Sequence, residues 1–163
     1  MLPTSTPMTI TLRPITAENF EDVASLPLLA HQHAYLASNS YSIAQASFFP
    51  FLVTRAIYLN ERPIGFMMYA KPEPHEDQGE FGIWRFMVSS DHQGKGYGRQ
   101  ALARLISEIR SHPDVKRIFI SYKPENEPAK IFYASFGFRE TEVDDEGEMV
   151  AVLSCGEEST NGS

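Results

Sequence analysis

An apolar run that gives way to a glycine-rich turn and then to helical spacing leaves a chain few ways to fold. Residues 84–99, WRFMVSSDHQGKGYGR, have this layout. Trp84, Phe86, Met87 and Val88 have strand composition, Ser89 to His92 form a polar turn, and Gln93-Gly94-Lys95-Gly96-Tyr97-Gly98 follow. Beyond them Leu102, Leu105, Ile106 and Ile109 recur at three- and four-residue intervals, marking one face of a helix. Strand, glycine loop and helix together present unpaired backbone N–H groups at the positive end of a helix dipole, where a diphosphate is stabilised. Glycine suits the loop because a Cβ would hold phosphate oxygens away from the backbone. Lys95 and Arg99 add positive charge at the same place.

Three phosphate-loop patterns compete for this stretch. A P-loop needs Lys-Ser/Thr after its last glycine, and Gly98 is followed by Arg99-Gln100. A dinucleotide fingerprint needs G-x-G-x-x-G, and here the third glycine comes one residue early. The pattern that fits is Q-x-x-G-x-G, made by Gln93, Gly96 and Gly98. It resembles the acetyl-CoA pyrophosphate loop of the GNAT superfamily of N-acetyltransferases. Taken alone, the loop is also compatible with an ordinary glycine turn between strand and helix.

The rest of the chain narrows the choice. A length of 163 residues predicts one domain, large enough to bury about two-thirds of its unfolded surface. A hydrophobic content of 42% with 12% aromatics is that of a folded soluble protein. No apolar run approaches the ~20 residues that span a bilayer. The net charge of −7 argues against a nucleic-acid partner, which needs a basic footprint, and is compatible with a cationic substrate. The single cysteine, Cys155, cannot form an internal disulfide, in keeping with a cytoplasmic protein. No His/Cys cluster has metal-ligand spacing, so no metal is expected.

Taken in order, residues 1–8 read as a frayed start, residues 9–153 as the domain and residues 154–163 as a flexible tail. Thr9 to Arg13 is a first strand, and a helix is expected near Thr16, interrupted at Pro27. A second helix is expected over Ile43 to Phe51, capped by Ser42 and broken at Pro50. Tyr35, Tyr41, Phe48, Phe49 and Phe51 around it read as core packing, or as the lining of an acceptor pocket. Ala56–Leu59 and Ile64–Tyr69 are strands around a turn, and Phe81–Val88 leads into the glycine loop. Arg117–Tyr122 is a strand, Glu127–Phe136 a helix with Gly137 as its cap, and Phe138–Val143 and Glu148–Leu153 are closing strands.

In the last third, Asn126, Ala129 and Tyr133 spell N-x-x-A-x-x-x-Y, followed by Gly137-Phe138. Ala129 and Tyr133 are four residues apart and share a helix face, on which the small alanine leaves room beside the tyrosine. This resembles the second half of the GNAT cofactor site, and the likeness covers Thr9 to Leu153. The resemblance implies an α/β (α+β) fold, a mixed central sheet of six to seven strands flanked by helices, its two parallel central strands splayed. It implies acetyl-CoA as the acetyl donor. Phe86, Met87 and Val88 would pair with the pantetheine arm like an added strand. Gln93, Gly94, Lys95, Gly96, Tyr97, Gly98 and Arg99 would hold the pyrophosphate. Asn126 would bind pantetheine or cap its helix, and Tyr133 would protonate the leaving thiolate.

Such chemistry needs a neutral amine, and an alkylamine is mostly protonated at neutral pH, so the site must take up a proton. Glu80 is the candidate base: if strand alternation holds it shares a face with Gly82 and Trp84, and a solvated strand-end charge is the other reading. Glu76 and Asp77 lie in the preceding loop. A narrower resemblance, carried by His31 to Asn39, Ser42 to Ala46, Trp84 to Met87 and Ile120 to Tyr122, is to bacterial spermidine or diamine N-acetyltransferases. It implies a small amine acceptor, with Gln32, Tyr35, Asn39 and Trp84 as acceptor-binding residues; the first three of these equally serve to organise the helix pair. Some members of that group carry an acidic residue where Trp84 stands. A protein N-terminus, an aminoglycoside or an amino acid is the alternative acceptor, a non-catalytic acyl-CoA sensor is the alternative of another class, and a homodimer is compatible with the family.

Overall fold

The structure is a computed structural model and describes residues 8–27 and 38–156. The expected roles of Gln32 and Tyr35, and residues 31–37 of the stretch that carries the narrower resemblance, lie outside the described residues. A seven-stranded mixed sheet organises the rest, in the order β1 (Ile10–Arg13), β2 (Leu52–Leu59), β3 (Arg62–Ala70), β4 (Glu80–Val88), β5 (Arg117–Tyr122), β7 (Met149–Ser154) and β6 (Arg139–Val143). Every pairing is antiparallel except β4 with β5. One face carries α3 (Tyr97–Arg110) and α4 (Glu127–Ala134), the other α1 (Phe20–Ala24) and α2 (Asn39–Phe48). Strand β3 lies mid-sheet with both faces covered, so Ile64 to Tyr69 are buried without alternation. The periodic face of α3 is buried as its spacing predicts, with Leu102, Leu105 and Ile109 against the sheet.

The feature that sets up the rest is a bulge in β4. Met68 faces Arg85 and Tyr69 faces Ile83, so Trp84 is an extra residue with no partner on β3. Strict alternation would place Phe81, Ile83, Arg85 and Met87 on one face. With the extra residue, Phe86 and Val88 join Phe81 and Ile83 against the α3 face, while Met87 packs with Val23 and Ile43 on the α1–α2 face. The parallel pairing of β4 with β5 runs from Glu80–Arg117 to Ile83–Ile120 and stops there. Beyond it the two strands diverge, which is the splay the resemblance implied.

Several expected boundaries shift. Helix α1 begins at Phe20, not near Thr16, because Asn19 Oδ1 accepts the Thr16 N–H at 2.8 Å and folds residues 16–19 into a turn ahead of it. Helix α2 runs over Asn39–Phe48 rather than Ile43 to Phe51. Its cap is Ser38, whose hydroxyl accepts the Tyr41 N–H at 3.0 Å, while Ser42 is buried inside the helix. Helix α4 ends at Ala134, two residues early, and β7 continues through Ser154, one residue into the expected tail. The aromatics near α2 are not mainly core: Tyr41 is 59% exposed and Phe48 77%.

Gly65 lies under the divergent end of β4. A Cβ there would collide with the Met87 carbonyl oxygen and approach Ile57 Cδ1 to 2.8 Å. Gly65→Ala should therefore destabilise the fold by about 1–3 kcal/mol through overpacking. Thermal unfolding checks this, and an unchanged midpoint would remove the account.

Candidate active site

Where β4 and β5 part, they enclose a cleft of about 630 Å³. Its walls are Ile83 to Val88, Ile120 to Lys123, the glycine loop and the start of α4. From Trp84 to Val88 one edge of β4 has no strand partner among the described residues, so its backbone groups face the cleft. An extended amide-bearing chain can complete such an edge as an added strand would.

The loop sits at one end of the cleft. Gly94 and Gly96 adopt φ of 78° and 83°, a region that other residues rarely adopt. Gly96 is the N-cap of α3 and offers no side-chain cap, so the first-turn N–H groups of a 14-residue helix point out of the loop. Gln93 fixes the loop to the strand end, its Nε2 donating to the Val88 carbonyl at 2.7 Å. His92 reports the local charge: burial lowers its pKa first, and the nearby Arg62 and Lys95 lower it further. Arg99 is anchored to the turn at the C-terminal end of α4. Its Nη2 donates to Ser135 Oγ at 2.7 Å and its guanidinium lies 4.8 Å from the Phe136 ring centre. Gln93, Gly94, Gly96, Gly98 and Arg99 line the cleft; Lys95 is exposed beside it, and Tyr97 packs against the core and near His92.

Helix α4 supplies the opposite wall. Asn126 caps it, Oδ1 accepting the Ala129 N–H at 3.2 Å, and leaves its Nδ2 without a partner among the described residues while lining the cleft. Ala129 lines the cleft one turn before Tyr133. The Tyr133 ring is buried, stacked on Tyr122 at 5.8 Å and edge-on to Phe138. Its hydroxyl has no hydrogen-bond partner among the described residues. Burial pushes the phenol well above its usual range, so it stays protonated and able to donate.

The remaining expected residues separate. Trp84 lines the cleft, 41% exposed, with its ring over Gly82 and edge-on to Phe51. Asn39 is buried away from the cleft lining, its Nδ2 donating to the Val23 carbonyl at 2.9 Å and reaching Met87 Sδ at 3.6 Å; it ties α2 to α1 and β4. Glu80 is also outside the lining, and its carboxylate accepts two bonds from Arg117, at 2.8 and 3.1 Å. It lies in a shallow neighbouring hollow with Gly82 and Trp84. In the β3–β4 loop Glu73, His75 and Glu76 come together because Glu76 Oε1 accepts the Glu73 N–H, a turn contact on an exposed loop.

Arg85, Ser121 and Glu148, to which the sequence assigns no site role, are also in the cleft wall. A signal for Arg85 was present. Apolar residues fall at Phe81 and Ile83 and then at Phe86 and Val88, and the odd interval between the pairs marks the extra residue.

The residues present fit a diphosphate joined to an extended amide arm: open glycine positions, a helix N-terminus and an unpaired strand edge lie along one cleft. Gly98 separates the ligand's needs from the fold's. A Cβ there would only touch Val88, Phe132 and Phe86 at 3.7–4.0 Å, which is ordinary contact. Gly98→Ala should keep the thermal midpoint and weaken coenzyme A binding several-fold by calorimetry, whereas Gly96→Glu should abolish binding.

Comparison with known proteins agrees with this geometry. The acetyltransferase (GNAT) family pattern matches residues 16–138. A spermine/spermidine N(1)-acetyltransferase of Bacillus subtilis (strain 168) is 30% identical over 149 residues, covering 89% of this chain and 98% of the relative. A probable spermine N(1)-acetyltransferase of Bacillus subtilis subsp. natto matches to the same extent, 30% over 149 residues. Among solved structures, an aminoglycoside acetyltransferase in complex with coenzyme A superimposes with a TM-score of 0.73 at 20% identity, over 90% of this chain and 95% of that one. The PaiA N-acetyltransferase of Thermoplasma acidophilum, also with coenzyme A, gives 0.68 at 14%, over 91% and 100%. At these identities the structures share the fold. The family pattern and the relatives matched along most of their length give the conclusion: this chain belongs to the acetyltransferase (GNAT) family and is an N-acetyltransferase that uses acetyl-CoA.

Proposed function

We propose that the acceptor is a primary amine of a small linear polyamine of the spermidine or spermine kind. The observation that carries this reading is the 30% identity to relatives named for those substrates, along 89% of the chain. The net charge of −7 favours approach of a polycation. Trp84 supports it too, an exposed indole at the cleft wall whose face suits an ammonium group.

In this reading the edge of Phe86, Met87 and Val88 takes the pantetheine arm, and the segment from Gln93 to Arg99 takes the diphosphate. Ala129 leaves space for the arm, and the Asn126 amide supplies a donor beside it. The amine attacks the thioester carbonyl directly, and an N–H of Met87 or Val88 receives the developing oxyanion. Tyr133 protonates the departing sulfur; a phenol kept neutral by burial is a donor across the working pH range. We assign the reaction to the cytoplasm, in keeping with the lone thiol of Cys155. A homodimer formed through the closing strands is compatible with β6, an exposed edge strand.

Release of free thiol from acetyl-CoA, measured against spermidine, spermine, putrescine, an aminoglycoside, amino acids and short peptides, tests the acceptor. Turnover should be highest with the polyamines, and turnover confined to peptides or aminoglycosides would replace the substrate. Tyr133→Phe should lower kcat by about 100-fold or more, within the range of a lost acid, with acetyl-CoA affinity nearly intact. An unchanged kcat would take the acid role from Tyr133.

A further inference from the structure

We propose that Glu148 takes up the proton that the acceptor amine must lose, working from the α2 side of the sheet while Tyr133 serves the opposite side. The proposal rests on the acetyltransferase chemistry above and adds a residue to it. The carboxylates near the start of β4 are placed elsewhere. Glu80 is held by Arg117 outside the cleft, and Asp77 is shared between Lys116 at 3.7 Å and Arg117 at 3.4 Å. The cleft wall carries Glu125 and Glu148. Glu125 is exposed in the loop before α4, while the Glu148 side chain is only 30% exposed.

The side on which Glu148 works follows from the bulge. Arg85 leans toward α2, its Nε donating to Ser42 Oγ at 3.0 Å, while Phe86 and Val88 face α3. Met149 pairs with Tyr122, which stacks on Tyr133 in the core of the α3–α4 side, so Glu148, one residue earlier, alternates to the α2 side. Tyr133 is packed in the core of the α3–α4 side. A proton acceptor and a proton donor therefore flank the gap between β4 and β5 from opposite faces.

The backbone of Glu148 is fixed on both sides. Its N–H donates to Asp144 Oδ1 at 2.9 Å and its carbonyl accepts the Asp144 N–H at 2.8 Å. The charged group in contact with its side chain is Lys123, from the loop after β5 at 3.7 Å; Arg85 lines the same cleft from β4, and Asp144 meets its backbone from the β6–β7 turn. The ion pair with Lys123 is long and leaves lone pairs of the carboxylate available.

The step balances. An ammonium R–NH3+ gives one proton to the Glu148 carboxylate, directly or through water. The free amine then forms a nitrogen–carbon bond to the carbonyl as the carbon–sulfur bond breaks, and the electron pair leaves with sulfur. Sulfur takes the Tyr133 proton, the nitrogen loses its second proton to restore the phenol, and the carboxylate releases the first to solvent. The sum is one amide, one thiol and one proton from one ammonium and one thioester.

The test is the pH profile of kcat in Glu148→Gln, with the best amine of the panel as substrate. At neutral pH kcat should fall by about 100-fold. The deficit should shrink toward pH 10, where solution already supplies free amine. Glu148→Asp should keep the wild-type profile at a reduced rate, and Glu80→Gln should leave both rate and profile unchanged. Acetyl-CoA affinity checks that each variant is folded. Wild-type kcat in Glu148→Gln, or a deficit equal at every pH, overturns the role of Glu148 alone. If Glu148→Gln does not fold, a shifted profile in Glu148→Asp overturns it instead. Absence of wild-type turnover on every amine overturns this inference together with the reading it rests on.

Discussion

One inserted residue in β4 governs the geometry of this protein. Because side chains alternate along a strand, an unpaired Trp84 reverses which residues face which layer from that point on. Phe86 and Val88 are returned to the α3 side, where they complete the core and pack near Gly98, while Arg85 is sent to the α2 side. The strand bends away from β5 at the same place, and the parallel ladder ends at Ile83–Ile120. Had the ladder continued, hydrogen bonds between β4 and β5 would have filled the space that is now the cleft. The open edge and the cleft beside it follow from that local failure of pairing.

The closed end of the fork is secured as firmly as the open end is left free. Glu80 and Arg117 face each other in register across β4 and β5 and are joined by two hydrogen bonds, with Asp77 and Lys116 beside them. These charges are partly exposed, so each pair contributes only about 0.2–1 kcal/mol. Their value is positional, since they pin the strands where the ladder exists and let them part where it does not. At the open end, what fits a diphosphate is mainly backbone geometry. Gly94 and Gly96 turn the chain through left-handed conformations into the uncapped start of α3, and Arg99 is held back against α4 by Ser135 and Phe136. Charge is thus concentrated near the loop while the cleft itself keeps an apolar wall of Phe86, Ala129 and Phe132.

The glycine loop, the α3 stripe and the span of β5 were legible because each is a local pattern. Glycine spacing states where left-handed turns fall, a 3.6-residue period states which helix face is buried, and six residues rich in isoleucine and aromatics between breakers state a strand. The start of α2 was not legible. Ser38 and Ser42 are both cap residues by type, and burial of Asn39 and Ser42 against neighbouring elements decided between them. Glu80 shows the same limit. Its shared face with Gly82 and Trp84 was readable from alternation, but the claim of Arg117 on its carboxylate depends on a strand 37 residues away.

By itself, then, the sequence determined the order of elements, the loop and its chemistry, and the pairing of Asn126 with Tyr133 on one helix, all short-range properties of the chain. Tertiary structure decided which carboxylates meet the cleft. Glu148 lies near Lys123 and shares the cleft wall with Arg85 only because β7 inserts between β5 and β6 and because β4 carries one residue more than its partner. Strand order arises from contacts between distant segments, and the spacing of apolar residues that marks the extra residue in β4 does not say which strands lie beside it.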